Sequence, residues 1–595
     1  MITTQLQALE ISGLIELAGT RPEIEYVFRH SLTQEAVYNS LLKNDQKALH
    51  LAAGEILESL YAGRVEQIAA VLAYHFSNAE DLQRAVKYYH LAGDLAVQRY
   101  ATPEALELYT RAVELAETSG QSTPGLLQAR GLVKEILGEF EGACSDQSQA
   151  LALAETQGDE KAKWQSLLNL GMLWAARDYH KTDEFYHQAL ELARSWDAPD
   201  YLARSLNRVG NWHLNNNQLD QAIKCHLEAL SIFTVRQDQQ EIANTLDFLG
   251  MSYGISAEPI KAYDYLSKAV QAYRELNDHK GLASSLSAIS IFGVPVAESE
   301  VIVLKDFNLL QSIRYAQEAL QVTRQLSWRS GEAFCLYCLA QNLEAYGKFD
   351  ASMQANRSAR QIAEEINHSQ WLIACQINAG YIDHTLYDYD QACIELDSAY
   401  RLAKTIGSIQ WVHVAAGILG RALVNSGRNE EAEAILDSAM SPDDPPRSLG
   451  ERMIWIARAG LALARGDGQT ALDITDLQYR DQPVREAGYA APRLSLVRSR
   501  AQVLLGLEEQ ALDELLAMRR TMQIIDARTM LWRCHSALYH LYRRLDRRQD
   551  ARDEQNAALA LITELASTLK DEHQRAHFTG HATAELTRDD YFSSI

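Results

Sequence analysis

A small residue returns about every forty positions along most of this 595-residue chain. The members of the series are Ala143, Thr182, Ala222, Ala262, Ser312, Ser352, Ala392, Ala432, Ala471, Ala511 and Ala551. Their successive separations are 39, 40, 40, 50, 40, 40, 40, 39, 40 and 40 residues. A period held over ten steps indicates one supersecondary unit repeated in tandem. We therefore expect one continuous array, because a tandem array grows without starting a new core at each unit.

A second series of small residues keeps the same period about twelve positions earlier. Its members are Gly131, Gly171, Gly210, Gly250, Ser290, Ala340, Gly380, Gly420 and Gly460. Polar stretches such as "NNNQLDQA" and "NSGRNEEA" separate the two series, and apolar residues recur at three- and four-residue spacing on either side. Small residues on facing helices let the backbones approach closely. Each unit is therefore predicted to be an antiparallel helix pair.

The helix pairs resemble the tetratricopeptide repeat. In "LNRVGNWHLNNNQLDQAIKCHLEAL" the matching residues are Leu206, Gly210, Ala222 and Ala229, whereas His213 and His226 stand where that family usually has aromatic or apolar residues. The resemblance covers roughly residues 65–560, and the period is several residues longer than the standard repeat. It implies an all-α fold, a right-handed TPR-like α-solenoid with longer helices, of the kind found in regulatory, peptide-binding members of the superfamily.

Two irregularities interrupt the array. The fifty-residue step contains "FGVPVAESEVIVLKD", in which Pro295 and a valine-rich run break the helical pattern, and we expect a loop insertion within residues 291–311. In "MSPDDPPRSLG", Pro445 and Pro446 forbid helix and predict a bend.

The N-terminal region resembles the segment that joins the winged-helix module to the repeats in bacterial STAND-type signalling ATPases, including those fused to cyclases, kinases or DNA-binding regulators. The matching residues are Phe28, Arg29, His30, Leu32, Gln34, Glu35, Tyr38, Leu41, Leu49 and His50, followed by Ala73, His75, Phe76, Ala85, Tyr89, Ala92 and Gly93. The C-terminal stretch "ALALITELASTLKDEHQRAHFTG" resembles the closing helix of those proteins.

The nucleotide-binding module of that family has no counterpart in this sequence. In the family, the histidine of an H-x-L motif touches the bound nucleotide, and His30-Ser31-Leu32 occupies that place here. The chain contains no G-x-x-x-x-G-K-[ST] loop, so we expect no nucleotide hydrolysis by this chain. His30 is then either a structural remnant or a residue that serves an ATPase on another chain.

These patterns predict five regions. They are a winged-helix remnant or helical linker at 1–60, atypical first repeat helices at 61–120, a solenoid at 121–440, the proline-rich bend at 441–450, and a solenoid with a C-terminal capping helix at 451–595.

Charge and hydropathy exclude several classes of partner. The formal net charge is −23, which disfavours a nucleic-acid surface, since phosphate contacts need a basic stripe. No run approaches the ~18–20 apolar residues of a membrane span, and the N-terminus lacks the basic region of a signal peptide. We therefore expect a cytoplasmic protein with neither a nucleic-acid nor a membrane partner.

No motif for catalysis or metal binding stands out. Cys335 and Cys338 have the spacing of half a zinc site, but they lack a second pair, and only Cys375 on the next repeat could approach them. We expect all three to be buried as small apolar side chains. The sequence predicts no catalytic residue, no cofactor and no metal.

The favoured function is a non-catalytic scaffold or sensor that binds a protein, a peptide or a small effector in a concave groove during signal transduction. Groove-facing residues are expected on the first helix of each pair, one position after the small residue and about four to either side of it. The candidates are Arg204, Asn207, Asn211, Asp247, Tyr337, Gln341, Glu344, Tyr381, His384 and Arg421. The alternative is the C-terminal regulatory fragment of a multidomain ATPase, cyclase or kinase.

Overall fold

The computed structural model describes residues 2–19, 25–292, 308–480, 491–589 and 591–592. Two short strands, β1 (Ile15–Gly19) and β2 (Glu25–Phe28), pair antiparallel near the N-terminus. The helices up to the first gap in the array are α1 (Ile2–Ile11), α2 (Ser31–Ser40), α3 (Lys43–Leu60), the 3-10 helix Val65–Ile68, α4 (Ala69–Asn78), α5 (Leu82–Gln98), α6 (Thr102–Ser119), α7 (Pro124–Leu137), α8 (Phe140–Gln157), α9 (Glu160–Trp174), α10 (Tyr179–Arg194), α11 (Pro199–Asn215), α12 (Leu219–Arg236), α13 (Gln239–Ile255), α14 (Pro259–Leu276) and α15 (His279–Phe292).

The remaining described helices continue the array to the C-terminal end. They are α16 (Leu309–Gln325), α17 (Arg329–Ala345), α18 (Phe349–Glu365), α19 (Ser369–Thr385), α20 (Tyr389–Ile406), α21 (Ile409–Asn425), α22 (Asn429–Ala439), α23 (Leu449–Ala464), α24 (Gly468–Arg480), α25 (Pro492–Leu504), α26 (Glu508–Ile525), α27 (Arg528–Arg544), α28 (Arg548–Ser567) and α29 (Glu572–Thr587). In each repeat the odd-numbered helix comes first and is called the A helix. The even-numbered helix that follows is the B helix.

Short-range signals set where these helices begin and end. Asp159, Asp238 and Asp388 each precede an A or B helix and accept a hydrogen bond from the backbone N–H three residues on, which satisfies a donor that the first helical turn leaves unpaired. At the other end, α12 and α14 stop at Gln237 and Asn277, whose φ angles are 57° and 56°. A left-handed residue at this position terminates a helix and turns the chain back.

The small residues of both series lie at the helix interfaces, as the sequence predicts, except Gly460, where a Cβ would meet nothing within 4 Å. Every member of the first series, from Ala143 to Ala551, is buried. A Cβ built on Gly210 would stand 2.5 Å from Cε1 of His226, and one built on Gly380 would stand 2.6 Å from Cγ of Leu396. These distances leave no room for a side chain where the A helix crosses its B helix. The predicted all-α, TPR-like solenoid of antiparallel helix pairs is therefore confirmed.

The chain divides into two compact units, residues 1–133 and 134–595. The first unit contains the β-hairpin, which no sequence pattern predicted, the helices α1 to α6 and the first part of α7. Three residues that carry the STAND-type resemblance meet in this unit: Tyr38 Oη lies 3.0 Å from Nε2 of His50, and Nδ1 of His50 lies 3.0 Å from Nδ1 of His75. His30 lies exposed, immediately before α2.

In the second unit, buried polar side chains join neighbouring A helices. Asn207 on α11 donates to Thr245 Oγ1 on α13 at 2.8 Å. Asp247 on α13 accepts hydrogen bonds from Ser285 Oγ at 2.5 Å and from Ser284 Oγ at 3.2 Å, both on α15. Buried polar atoms require such partners, so these bonds fix the register of one repeat on the next.

Repeats that are far apart in the chain also touch within this unit. Arg177 donates to the carbonyl of Ile366 at 2.8 Å, 189 residues away, and Asn217 donates to Glu451 Oε1 at 2.6 Å, 234 residues away. Further on, the backbone N–H of Phe349 lies 3.3 Å from Thr568 Oγ1. Because a repeat spans about forty residues, each contact joins units roughly five repeats apart. These contacts bring helices that are far apart in the chain next to one another.

The irregular stretches of the sequence fall between helices. Most of the predicted insertion, residues 293–307, lies outside the described residues, which stop at the end of α15 and resume just before α16. Residues 440–448, which include Pro445 and Pro446, separate α22 from α23 and contain no helix. Within the described ranges, no helix combines the length and apolar character needed to cross a membrane.

Candidate ligand-binding cavities

Two cavities lie among the A helices of the second unit. The first, of about 190 Å³, is bordered by residues of α11, α13, α15, α17, α19, α21 and α23. Its aromatic side chains are Phe292, Phe334, Tyr337, Trp371, Tyr381 and Trp411. We call it the aromatic cavity. Because one helix from each of seven successive repeats contributes, the cavity depends on the packing of the whole series.

Stacked rings form one wall of the aromatic cavity. The rings of Phe334 and Trp371 lie 4.8 Å apart between centroids with an interplanar angle of 13°, and the imidazole of His368 stacks on the same indole at 5.3 Å. Phe334 and Tyr337 are buried on α17. This wall is largely apolar, and aromatic side chains contribute both buried area and ring geometry to contacts with apolar groups.

Amide oxygens provide the polar groups of the aromatic cavity. Nε2 of Gln341 donates to the hydroxyl of Tyr337 at 2.8 Å, while Oε1 of Gln341 is buried and has no hydrogen-bond partner in the described chain. Oε1 of Gln410 is likewise buried without a hydrogen-bond partner among the described residues. Buried acceptors are rarely left unpaired. Both oxygens can therefore accept hydrogen bonds from N–H groups of a bound molecule.

Glu344 is the acidic residue of this cavity. Only 1% of its surface is exposed, and burial raises the pKa of its carboxyl from 4.5 to about 7. Arg533 and Arg421 lower this pKa, but by less than burial raises it. The carboxyl therefore gains or loses its proton near neutral pH, which allows it to donate or to accept a hydrogen bond.

The second cavity, of about 400 Å³, lies farther along the array. Its described lining includes five arginines and one acid: Arg421, Arg493, Arg500, Arg533, Arg588 and Glu585. Tyr387, Tyr389, Tyr591 and His384 lie between them. We call it the arginine cavity. Arg421 borders both cavities, and its guanidinium lies over the ring of Tyr381 at 5.4 Å.

Six of the ten site residues predicted from the sequence border one or both cavities. Tyr337, Gln341, Glu344, Tyr381 and Arg421 border the aromatic cavity, and His384 and Arg421 border the arginine cavity.

The other four candidates border neither cavity. Asn207 and Asp247 are buried in the hydrogen bonds between A helices. Arg204 pairs with Glu241 at 3.0 Å, and the backbone carbonyl of Asn211 accepts a hydrogen bond from Asn215.

Several cavity residues were not nominated from the sequence. They include Trp371 and Trp411 in the aromatic cavity and Arg493, Arg500 and Arg533 in the arginine cavity. A signal for Arg500 is present in the sequence. Ser499 precedes Ala511 by twelve residues, as Gly420 precedes Ala432, so Arg500 follows a small residue in the same way that Arg421 does.

The cysteines are buried as predicted. Cys335, Cys338 and Cys375 are each at most 1% exposed. Sγ of Cys335 lies 3.1 Å from Oγ of Ser287, and burial raises the pKa of its thiol to about 11. A thiol held in this way is protonated at neutral pH, which disfavours both nucleophilic attack and metal binding.

Comparison with known proteins returns distant structural likenesses. No protein-family model matches the chain, and no curated protein matches its sequence. Among solved structures, the chain is similar to a Rap protein complexed with Competence and Sporulation Factor, at 16% identity and a TM-score of 0.43, over 62% of this chain and 98% of that one.

Two further structures show the same level of similarity. The apo form of the quorum sensor NprR from B. thuringiensis matches at 15% identity and a TM-score of 0.39, over 56% of this chain and 92% of that one. The STAND protein PH0952 from Pyrococcus horikoshii, which has a tetratricopeptide repeat sensor, matches at 15% identity and a TM-score of 0.34, over 78% of this chain and 66% of that one. These are likenesses at low identity, and no ligand or activity follows from them.

Proposed function

We propose that the chain is a non-catalytic binding protein whose aromatic cavity receives a peptide segment with large apolar side chains. The observation that carries this proposal is the combination of the stacked wall of Phe334 and Trp371 with the buried, unpaired Oε1 atoms of Gln341 and Gln410. Rings accept apolar side chains, and amide oxygens accept backbone N–H groups. A peptide supplies both.

The arrangement of the A helices supports the same ligand class. Seven successive A helices border the cavity, so neighbouring repeats present side chains at regular intervals. Solenoids bind extended partners through side chains spread over several repeats. A small effector with an apolar ring and N–H donors satisfies the same groups and is the second ligand that the cavity fits. We place the binding event in signal transduction because of the STAND-type resemblance of residues 26–93.

A peptide-display selection against the purified full chain tests the proposal. Random dodecamers are the probe, and the affinity of selected peptides is then measured by isothermal titration. We expect selection of peptides with aromatic or branched residues. We also expect Trp371→Ala to weaken their binding roughly thirtyfold, since an aromatic side chain central to an interface contributes about 2 kcal/mol or more.

The matched control is Trp196→Ala, because Trp196 is a partly buried tryptophan that contacts Tyr201 edge-to-face and does not border the cavity. This variant should bind selected peptides as wild type does. Gln341→Leu, which removes the unpaired acceptor at similar size, should weaken binding without loss of the fold. If no peptide is enriched, or if Trp371→Ala binds as tightly as wild type, the proposal is wrong.

A second candidate function is regulation of a partner nucleotide-binding domain through the first unit. Of the 27 large apolar side chains that are exposed in the described chain, 15 fall between Leu9 and Tyr74. Leu32, Leu42 and Ile56 are 77%, 74% and 64% exposed. Exposed apolar side chains gathered in one region are typical of a protein interface.

Affinity capture with the full chain distinguishes this candidate. If the first unit binds a nucleotide-binding domain, a captured protein should contain the G-x-x-x-x-G-K-[ST] loop. The double variant with Leu32→Glu and Ile56→Glu should abolish capture, whereas Trp371→Ala should leave it intact. Capture that survives the double variant would exclude this role for the first unit.

A further inference from the structure

The arginine cavity concentrates positive charge inside an acidic protein. The whole chain carries a formal charge of −23, whereas the described lining of this cavity carries five arginines and one glutamate, a formal charge of +4 with histidines neutral. Charges taken out of water are costly unless a partner of opposite sign accompanies them. The cavity therefore favours an anion.

Two of these arginines form no ion pair with a carboxylate of the described residues. The buried guanidinium of Arg533 donates to the carbonyls of Thr529 at 2.9 Å and Thr385 at 3.4 Å. The guanidinium of Arg500 lies 4.7 Å from the ring centroid of Tyr591, and its Nε is buried without a hydrogen-bond partner. Carbonyls and an aromatic face lower the cost of burying a guanidinium but carry no net negative charge.

Glu585, the acidic residue of the arginine cavity, interacts with a tyrosine as well as with the arginines. Glu585 accepts a hydrogen bond from the hydroxyl of Tyr387 at 2.6 Å and faces the arginines from α29. The pKa of Arg493 falls to about 9, chiefly because it is buried and because Arg533 and Arg500 lie close to it. Arg533 and Arg500 therefore disfavour the charge on Arg493, whereas Glu585 favours it.

The cavity has room for a ligand larger than a single ion. Its volume is about 400 Å³. Gly460 on α23 borders it, and a Cβ built on this residue would meet nothing within 4 Å, although a Cβ on the equivalent Gly420 would stand 2.6 Å from Leu436. The contact between A helix and B helix that occupies this position at Gly420 is absent at Gly460, where the space is open.

We propose that the arginine cavity is a binding site for a small polyanion, a molecule with two or more phosphate or carboxylate groups, with Arg500 and Arg533 as principal contacts. A guanidinium offers paired N–H donors that match the oxygens of either group. The rings of Tyr389 and Tyr591 flank the space and suit an organic body that carries those groups. Arg500 and Arg533 do not border the aromatic cavity, so this proposal stands or falls without the peptide site proposed above.

Ligand-dependent stability of the full chain tests the inference. Pyrophosphate and citrate are the probes, and sodium chloride at the same ionic strength is the control, because salt screens the repulsion without specific binding. One or both probes should raise the unfolding midpoint saturably, to about 2 °C or more above the midpoint in sodium chloride. Pyrophosphate alone would identify phosphate as the preferred group, and citrate alone would identify carboxylate.

Variants separate binding from a structural role. Arg500→Gln should raise the dissociation constant of the active probe at least about tenfold. Arg500→Lys keeps the charge and should bind with intermediate affinity, so it covers the case in which Arg500→Gln fails to fold. Arg548→Gln is the control, since this side chain is 83% exposed on α28.

The inference is overturned if neither probe stabilises the chain more than sodium chloride does. It is also overturned if Arg500→Gln and Arg500→Lys both keep the full probe-dependent shift, or if Arg548→Gln reduces that shift as much as they do.

Discussion

Gly250 on α13 lies directly against Leu266 on α14. A Cβ built on Gly250 would stand 2.5 Å from Cγ of Leu266 and 3.1 Å from its backbone nitrogen. The nearest atoms include backbone, which cannot rotate away. The small residue that recurs every forty positions is therefore the condition for the two helices of a repeat to pack.

Gly250→Ala should reduce the free energy of unfolding by about 1–3 kcal/mol, because overpacking a tight interface forces strain. Chemical denaturation measures this change, and hydrogen exchange should loosen mainly in α11 to α17, since repeats couple mostly to their neighbours. Gly580→Ala is the control. Its Cβ would meet nothing within 4 Å on the exposed face of α29, so it should be neutral or gain up to about 1 kcal/mol. Equal losses in both variants would contradict this packing argument.

Contacts between repeats that lie far apart in the chain can be tested at two glycines with the same backbone conformation. Gly347 and Gly427 have φ angles of 85° and 77°, so alanine is strained at both. Only at Gly347 would the Cβ also clash with a distant repeat, at Cδ2 of Leu565. We expect Gly347→Ala to cost at least about 1 kcal/mol more than Gly427→Ala, as measured by chemical denaturation.

The helices in which hydrogen exchange becomes faster distinguish a clash with a distant repeat from local backbone strain. Gly347→Ala should speed hydrogen exchange in α28, about 200 residues away in sequence, whereas Gly427→Ala should leave α28 unchanged. Equal costs and an unaffected α28 would mean that the distant repeats do not touch in solution.

Asp247 makes stability depend on pH in a defined direction. Burial raises the pKa of its carboxyl from 3.8 to about 6, despite hydrogen bonds from Ser285 and Ser284. Between these values the folded chain holds a proton that the unfolded chain has lost, so stability falls as pH rises through this window. Asp247→Asn removes this cost and should stabilise the chain by up to about 3 kcal/mol above pH 6.

Denaturation of both proteins across pH 4–8 checks this expectation. The advantage of Asp247→Asn should shrink as pH falls toward 4. Asp264→Asn is the control, because this side chain is 55% exposed and paired with Lys268, so it should change stability by about 0.5 kcal/mol or less at any pH. A destabilising Asp247→Asn at pH 7.5 would show that the charged carboxylate is favoured in the folded chain.

The repeat and part of the candidate site could be predicted from the sequence. Helix periodicity and the small residues fix which face of each A helix meets its B helix, and the position one residue later then leads to Gln341, Tyr381 and Arg421 at the cavities. Asn207 shares its place in the repeat with Tyr337 but borders neither cavity, because it is hydrogen-bonded to Thr245 on the next A helix. A pattern within one repeat does not contain that partner.

The contacts between distant repeats could not be predicted. Asn217 and Glu451, for example, are hydrogen-bonded although they lie 234 residues apart. No motif within one repeat contains such a partner. For the same reason, the sequence did not predict Arg493 and Arg533 as site residues. Their shared environment exists only after α25, α27 and α29 come together.

Hydrogen exchange of the full chain with and without a selected peptide tests whether the peptide binds in the aromatic cavity. We expect slower exchange in α17, α19 and α21, which carry Phe334, Trp371 and Trp411, and no change in residues 2–60. Protection confined to the first unit, or to B helices with the three A helices unchanged, would contradict binding in the aromatic cavity.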